Sequence, residues 1–330
     1  MDTLKLGTRG SQLALFQARA VAGLIQARAG VACQIDVIKT SGDRLAEAPL
    51  SEIGGKRLFV KEIEDALLDG TVDLAVHSSK DLPAVLPAGL TLGAVLPRED
   101  ARDAIVLPQS SVGAGFSRLE GLSLEEVVRQ LGRAPRIGTS SIRRTAQLTQ
   151  LFPGARFLPI RGNLDTRLRK LDAGEYDALV LAAAGLTRLD HAARISATLP
   201  PDVCVPAPGQ GIIAVEIRSG DSNVAGVVST INEPVSAAAL AAERAVVVRL
   251  GGGCQMPLGA YAAISGDTLA LTAIVISVDG TRAARADTKG RVADADRIGE
   301  EAAELLLSRG AADILALVER ARVTVEGLQP

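Results

Sequence analysis

Gly70-Thr71-Val72-Asp73-Leu74-Ala75-Val76-His77-Ser78-Ser79-Lys80-Asp81-Leu82-Pro83 is the stretch on which the fold turns. Val72 to Val76 is short and nearly all apolar, the texture of a strand buried on both faces of a parallel sheet. It stops in five polar residues, and Pro83 forbids a clean helical continuation. His77, Ser78, Ser79, Lys80 and Asp81 are therefore expected together at the carboxyl end of a buried strand, the edge at which open α/β sheets bind ligands. A lysine beside an aspartate is often only a surface ion pair. Its placement at this edge makes it a candidate reaction centre.

The same run returns further along. Gly174-Glu175-Tyr176-Asp177-Ala178-Leu179-Val180 aligns with Gly70 to Val76 without a gap. Upstream, Arg136-Ile137-Gly138-Thr139-Ser140-Ser141 before a helical pattern mirrors Lys5-Leu6-Gly7-Thr8-Arg9-Gly10-Ser11 before another. Two units of the order β-α-β-α-β predict two similar α/β domains facing each other across a cleft. Their endings differ: the first closes in His77 to Asp81, the second in Ala182-Ala183-Ala184-Gly185. Chemistry is expected on the first domain and grip on the second.

The two helix entries carry Arg9 and Ser11, and Thr139, Ser140, Ser141, Arg143 and Arg144. One such entry reads as an ordinary cap with solvated arginine. Two at equivalent places read as an anion clamp, because helix N-termini and guanidinium groups both select carboxylate or phosphate. Lys56, Lys61, Arg161, Arg167 and Arg188 are positioned to enlarge it. The net charge is −2, so this local clustering of cations, not a global field, points to a polyanionic ligand.

Only 2% of the residues are aromatic while 47% are hydrophobic, so the core must be aliphatic. Crossings between the halves are expected near Arg98-Glu99-Asp100 and across the Pro- and Gly-rich run Pro200 to Gly211, with a strand at Ile212 to Ile217 returning to the first sheet. From about Glu233 the texture becomes α+β: an Ala-rich helix, the turn Gly251-Gly252-Gly253-Cys254, strands near Ala260 to Ile264 and Leu269 to Ser277, then a helical stretch interrupted at Gly310. The expected domains are residues 1–98 with 210–230, residues 99–209, and residues 233–330.

Three cysteines without a CxxC pair argue against a disulfide framework and for a reducing compartment. Cys33 reads as packing and Cys204 is ambiguous. Cys254, after three glycines, reads as a tight-turn thiol or as a reachable nucleophile or attachment point. Two histidines at wide spacing make a metal site improbable. The amino terminus lacks a secretory h-region and no apolar run approaches membrane-spanning length, so the expectation is a soluble cytoplasmic protein without membrane contact. With no basic tail and no aromatic stacking stripe, nucleic acid is not an expected partner.

Gly7-Thr8-Arg9-x-Ser11, Gly55-Lys56-x-Leu58-Phe59-x-Lys61-Glu62, His77-Ser78-x-Lys80-Asp81-Leu82-Pro83, Gly138-Thr139-Ser140-Ser141-x-Arg143-Arg144, Arg161-Gly162-Asn163, Pro208-Gly209-Gln210-Gly211 and Gly252-Gly253-Cys254-Gln255 occur in this order. Together they resemble the porphobilinogen deaminase (hydroxymethylbilane synthase) family from Leu4 into the third domain. Arg57 and Ser79 depart from the family's usual residues. The resemblance implies two domains similar to periplasmic binding proteins plus a smaller α+β domain. It also implies a transferase of tetrapyrrole (heme) biosynthesis that joins four porphobilinogen molecules with loss of ammonia, then releases the linear product by hydrolysis. A dipyrromethane cofactor, held by a thioether to Cys254, and a monomeric state follow from the same resemblance. Asp81 would stabilise the delocalised pyrrolic cation left by ammonia loss. Arg9, Ser11, Lys56, Lys61, Ser78, Lys80, Thr139, Ser140, Ser141, Arg143, Arg144, Arg161, Arg167 and Arg188 would hold carboxylates of cofactor or substrate. A solute-binding or effector-sensing module also accounts for the two-lobed repeat, but not for the exposed cysteine or the Lys80-Asp81 pair.

Overall fold

The computed structural model describes residues 3–40, 60–111, 122–251 and 256–326. The first lobe begins with β1 (Thr3–Thr8), α1 (Gln12–Ala29), β2 (Ala32–Val37), α2 (Lys61–Leu68), β3 (Leu74–Ser78) and β4 (Leu90–Val95). The second contains β5 (Asp103–Val106), α3 (Leu124–Leu131), β6 (Arg136–Gly138), α4 (Ile142–Leu148), β7 (Arg156–Leu158), α5 (Leu164–Asp172), β8 (Ala178–Ala182), α6 (Ala183–Arg188) and β9 (Ala197–Leu199). The chain then returns through β10 (Ile213–Arg218) and α7 (Ser222–Ser229). It ends in α8 (Pro234–Arg249), β11 (Leu258–Ser265), β12 (Thr268–Ile276), β13 (Ala283–Arg291), α9 (Ala295–Ser308) and α10 (Ala311–Glu326).

Strand order makes the repeat explicit. The first sheet runs β2-β1-β3-β10-β4 and the second β7-β6-β8-β5-β9. In each, three strands are mutually parallel, and the fourth enters from the other half of the chain and pairs antiparallel on both sides. The local chemistry is duplicated too. Gly70 and Gly174 both sit in the left-handed region, at φ 79° and 80°. The carboxylate of Asp73 then accepts from the Lys5 backbone N–H at 2.8 Å, and that of Asp177 from Arg136 N–H at 2.7 Å. An aspartate after a left-handed glycine thus pins the entry of the central strand in both lobes.

Aliphatic packing follows the strand alternation. Leu4, Leu6, Leu74, Val76, Val215 and Ile217 face Ala18, Val21 and Ile25 of α1, while Val72 and Ala75 face Ile63 and Leu67 of α2. Burying each larger side chain stabilises the lobe by about 1.5–3 kcal/mol. The third sheet, β11-β12-β13, is antiparallel and buries its inner face against α8, α9 and α10.

Two differences from the sequence reading are informative. The central strand spans Leu74–Ser78, not Val72 to Val76, because β10 pairs with its polar end: Ala214 lies opposite His77 and Ile213 opposite Ser78. The sequence reading has no counterpart for β13. Its charged side chains hide an alternation in which Ala284, Ala286 and Thr288 point inward on an edge strand.

The lobes and the third domain meet at Glu243 of α8, which is fully buried. Its carboxylate accepts from Arg98 Nη1 at 2.6 Å, from the Gly209 backbone N–H at 2.6 Å and from Ala262 N–H at 2.7 Å. Arg98 and Gly209 flank the two inter-lobe crossings, so one anion joins both crossings to β11. Replacing Glu243 with Ala leaves the Arg98 guanidinium without its anion and two buried amides without an acceptor. The expected loss is about 3–5 kcal/mol of stability, read by chemical denaturation; an unchanged denaturation midpoint contradicts this role.

Candidate active site

At the end of β3 the Ser78 hydroxyl both accepts from and donates to the side-chain amide of Gln17 on α1, at 2.9 and 3.2 Å. Ser79–Asp81 makes a single 3₁₀ turn closed by the Leu82 N–H donating to Ser79 O at 3.2 Å. Lys80 and Asp81 therefore sit just beyond the sheet edge. His77 does not join them. It is buried, with Nε2 3.1 Å from a carboxylate oxygen of the fully buried Glu216 on β10. The contact is a close approach and not a hydrogen bond, because neither Glu216 oxygen meets hydrogen-bond geometry with a described partner. His77 faces inward because the pairing with β10 extends the strand through it.

Lys80 Nζ donates to Gln210 Oε1 at 3.3 Å. Burial lowers its pKa to about 8; Arg144 and Arg143 push it the same way, and Asp81 and Asp103 oppose them. Burial likewise lowers the Arg167 pKa from its ordinary value, with Arg144 adding to the shift and Asp81 opposing it. Cations of both lobes are thus close enough to raise one another's energy around Asp81. Lys80 comes from the first lobe, Arg144 and Arg167 from the second.

Arg143 and Arg144, expected in the clamp, are committed inward. Arg143 Nη1 donates to Asp103 Oδ2 and to Val205 O, both at 2.7 Å. Arg144 Nε donates to Asp103 Oδ1 at 3.0 Å and its Nη1 to Val180 O at 3.0 Å. Asp103, on β5, is fully buried. Burial alone would raise its pKa, but the two arginines outweigh that and hold the carboxyl well below the usual carboxylate range. Both arginines still act electrostatically on Lys80, Arg144 the more strongly, and Arg144 acts on Arg167 as well.

The remaining predicted residues divide by what they touch. Ser11 caps α1 by accepting from Ala14 N–H at 3.3 Å, and half-buried Arg9 lies beside that cap. Ser141 caps α4, Thr139 Oγ1 accepts from Ser141 N–H, and Ser140 Oγ ties to Ile160 N and O. Arg167 Nε donates to Gly162 O at 2.9 Å, and Arg188 Nη2 reaches Gly211 O on the second crossing at 2.6 Å. Burial lowers the Arg188 pKa, opposed by Glu99. Half-buried Arg161 has no hydrogen-bond partner among the described residues. Lys61 is exposed and pairs with Asp65 one turn on, at 2.8 Å. Lys56 and Cys254 lie outside the described residues. Sequence reasoning missed Asp103, Gln17, Glu216 and Glu243. No group of three or more His, Cys, Asp or Glu able to hold a metal occurs among the described residues.

Residues 4–226 match the family description "Porphobilinogen deaminase, dipyromethane cofactor binding domain", and residues 237–308 match "Porphobilinogen deaminase, C-terminal domain". The chain belongs to the porphobilinogen deaminase family. A porphobilinogen deaminase of Geobacter metallireducens is 44% identical over 324 residues, covering 98% of this chain and 97% of that one. One from Bordetella parapertussis is 46% identical over 318 residues, covering 96% of each. Among solved structures, the periplasmic VFT2 domain of Bordetella pertussis BvgS covers 70% of this chain and 86% of its own, at 18% identity and TM-score 0.39. The fold assignment stands on the two strand orders. As a family member the chain is a transferase (hydroxymethylbilane synthase) of tetrapyrrole biosynthesis, with a dipyrromethane cofactor domain and a small-molecule substrate, porphobilinogen. The crowding of Lys80, Arg144 and Arg167 fits a ligand bearing several carboxylates, because an anion placed among them relieves their mutual repulsion.

Cys204 is not open to modification. It is buried, its Sγ donates to Asp103 Oδ2 at 3.4 Å, and burial together with Asp103 pushes its thiol up to about 12, against Arg143 and Arg144. At pH 8 on the order of one thiol in ten thousand is ionised. Mass-spectrometric mapping after iodoacetamide treatment of the native protein is expected to leave Cys204 unlabelled. Rapid labelling there contradicts the buried Asp103–Arg143 environment.

Proposed function

We propose that Asp81 is the catalytic carboxylate of a hydroxymethylbilane synthase and that cations of both lobes hold the acidic side chains of its substrate and cofactor. The observation that carries this reading is that Lys80 of the first lobe and Arg167 of the second both interact with Asp81 at the edge of β3, with Arg144 acting on each of the two cations.

Porphobilinogen carries an acetate and a propionate, so every unit added brings two more negative charges. Guanidinium and ammonium groups match that demand, the former in bidentate geometry. Lys80, Arg161 and Arg167 hold carboxylates directly, with Arg144 adding field from behind. Arg9, Arg188 and the hydroxyls of Ser11, Ser78, Thr139, Ser140 and Ser141 line the same approach, Lys61 contributes from α2, and Lys56 is assigned the same role. Arg143 acts by fixing Asp103.

Loss of ammonia from the substrate's aminomethyl group leaves a delocalised pyrrolic cation. Asp81, fixed by the 3₁₀ turn, stabilises that cation at its ring N–H and accepts or returns a proton as the new carbon–carbon bond forms. The dipyrromethane, thioether-linked to Cys254, supplies when bound the pyrrole carbon at which substrate units are added. Water then releases the linear tetrapyrrole. The reading extends to a cytoplasmic monomer acting without nucleic acid or membrane; sedimentation equilibrium should give a single-chain mass, and a stable dimer would rule that part out.

Replacing Asp81 with Ala is expected to leave cofactor attachment intact and reduce turnover by at least about a thousandfold, the scale of losing an electrostatic or proton-transfer group. Full activity in that variant sinks the assignment. For the anchor, intact mass spectrometry of Cys254→Ser should show the bare polypeptide, and a two-pyrrole adduct on that variant refutes it. Ehrlich reagent separates this reading from a plain solute-binding module, because only a pyrrole-bearing chain colours.

A further inference from the structure

Gln210 lies on the second crossing between the lobes and is 1% exposed. Its Nε2 donates to Ala101 O at 2.7 Å and to Asp103 Oδ1 at 2.9 Å. Both partners accept only: one is a backbone carbonyl and the other a carboxylate that two arginines keep ionised. A flipped amide would set its oxygen against two oxygens, so the network allows one orientation. That orientation turns Oε1 toward Lys80 Nζ, 3.3 Å away. The backbone is pinned as well. Gln210 O accepts from Arg98 Nε at 2.9 Å, and Gln210 N–H donates to Ala207 O at 2.9 Å. The flanking Gly209 and Gly211 are in the left-handed region, at φ 72° and 88°. Any side chain at 211 would collide with Glu99 O, so this turn has no room to drift.

We propose that Gln210 is a positioning residue for Lys80: its amide, locked by Ala101 and Asp103, presents a neutral acceptor that aims the ammonium without adding a charge beside it. The choice of amide over acid matters. A glutamate here would neutralise Lys80 internally and stand against Asp103; an apolar residue would leave the ammonium facing Arg143 and Arg144 with less to hold it. The charged groups acting on Lys80 are Asp81 from its own turn and Asp103, Arg143 and Arg144 from the second lobe. Gln210 links that second-lobe cluster to the first-lobe lysine by direct hydrogen bonds. This inference rests on the reading of Lys80 as a carboxylate-binding group, but its core claim concerns Lys80 and Gln210 alone.

The test is pH-dependent trace acetylation of the Lys80 amine, followed by mass spectrometry, in the holoenzyme and in Gln210→Met and Gln210→Glu. In the parent enzyme the labelling midpoint is expected below the ordinary lysine value. Removing the acceptor in Gln210→Met should lower it, and the added carboxylate in Gln210→Glu should raise it, each by about one pH unit. The alkaline limb of kcat/KM for porphobilinogen should move in the same directions, with the Gln210→Met loss falling mainly on KM. A purely structural role would lower stability without opposite shifts. Labelling midpoints unmoved in both folded variants overturn the proposal, as does a parent midpoint at the ordinary lysine value should the variants not fold. Midpoints that shift while the kcat/KM profile stays fixed uphold the Gln210–Lys80 coupling and instead remove Lys80 from the substrate site.

Discussion

Taking two guanidinium groups out of water costs several kcal/mol each unless each finds an anion and full hydrogen bonding. Asp103 supplies that anion for Arg143 and Arg144 together, and the arrangement of the cleft follows from it. Because Asp103 lies on the strand that enters the second sheet from the first crossing, the cluster forms at the root of that crossing. The same carboxylate accepts from Gln210 on the return crossing and from the Cys204 thiol. One buried charge therefore sets where both crossings lie, how α4 is oriented and which face of Arg144 is turned toward Lys80.

The first lobe answers with a buried lysine on which charges of both signs act. Lys80 lies near two anions and two cations, and its pKa of about 8 shows that burial and the arginines outweigh Asp81 and Asp103. A site of this kind is poised rather than satisfied. It gains most when a ligand brings its own carboxylates, and it gains again with each further pair. The division of labour between the lobes has a structural cause: the two central strands are built alike, but one ends in a polar turn and the other runs directly into the apolar helix α6.

The duplicated architecture is legible in the sequence because its signal is local. A left-handed glycine, an aspartate three residues on and an aliphatic strand recur at Gly70 and Gly174, and each part has a reason to be there. The candidate carboxylate and lysine are legible for the same reason, since a buried strand must deliver its succeeding residues to an edge. Features decided by pairing across long sequence separations are not legible. His77 reads as part of a polar tip until β10 is laid beside it. Arg143 reads as a clamp residue until Asp103, some forty positions earlier, is brought to 2.7 Å. Glu243 sits in an alanine-rich helix that gives no hint of three donors from three different segments. β13 escapes because alternation between alanine and charge looks like loop composition unless its neighbour is known.

The central claim is that cations from both lobes repel one another around Asp81 until a polycarboxylate arrives. Calorimetric titration of the chain with a pyrrole dicarboxylic acid lacking the aminomethyl group, in buffers of different ionisation enthalpy near pH 8, tests it most directly. Proton uptake on binding, with affinity falling as pH rises through about 8 and as salt is added, is the predicted result. Binding without proton uptake, at an affinity indifferent to both pH and salt, would contradict it.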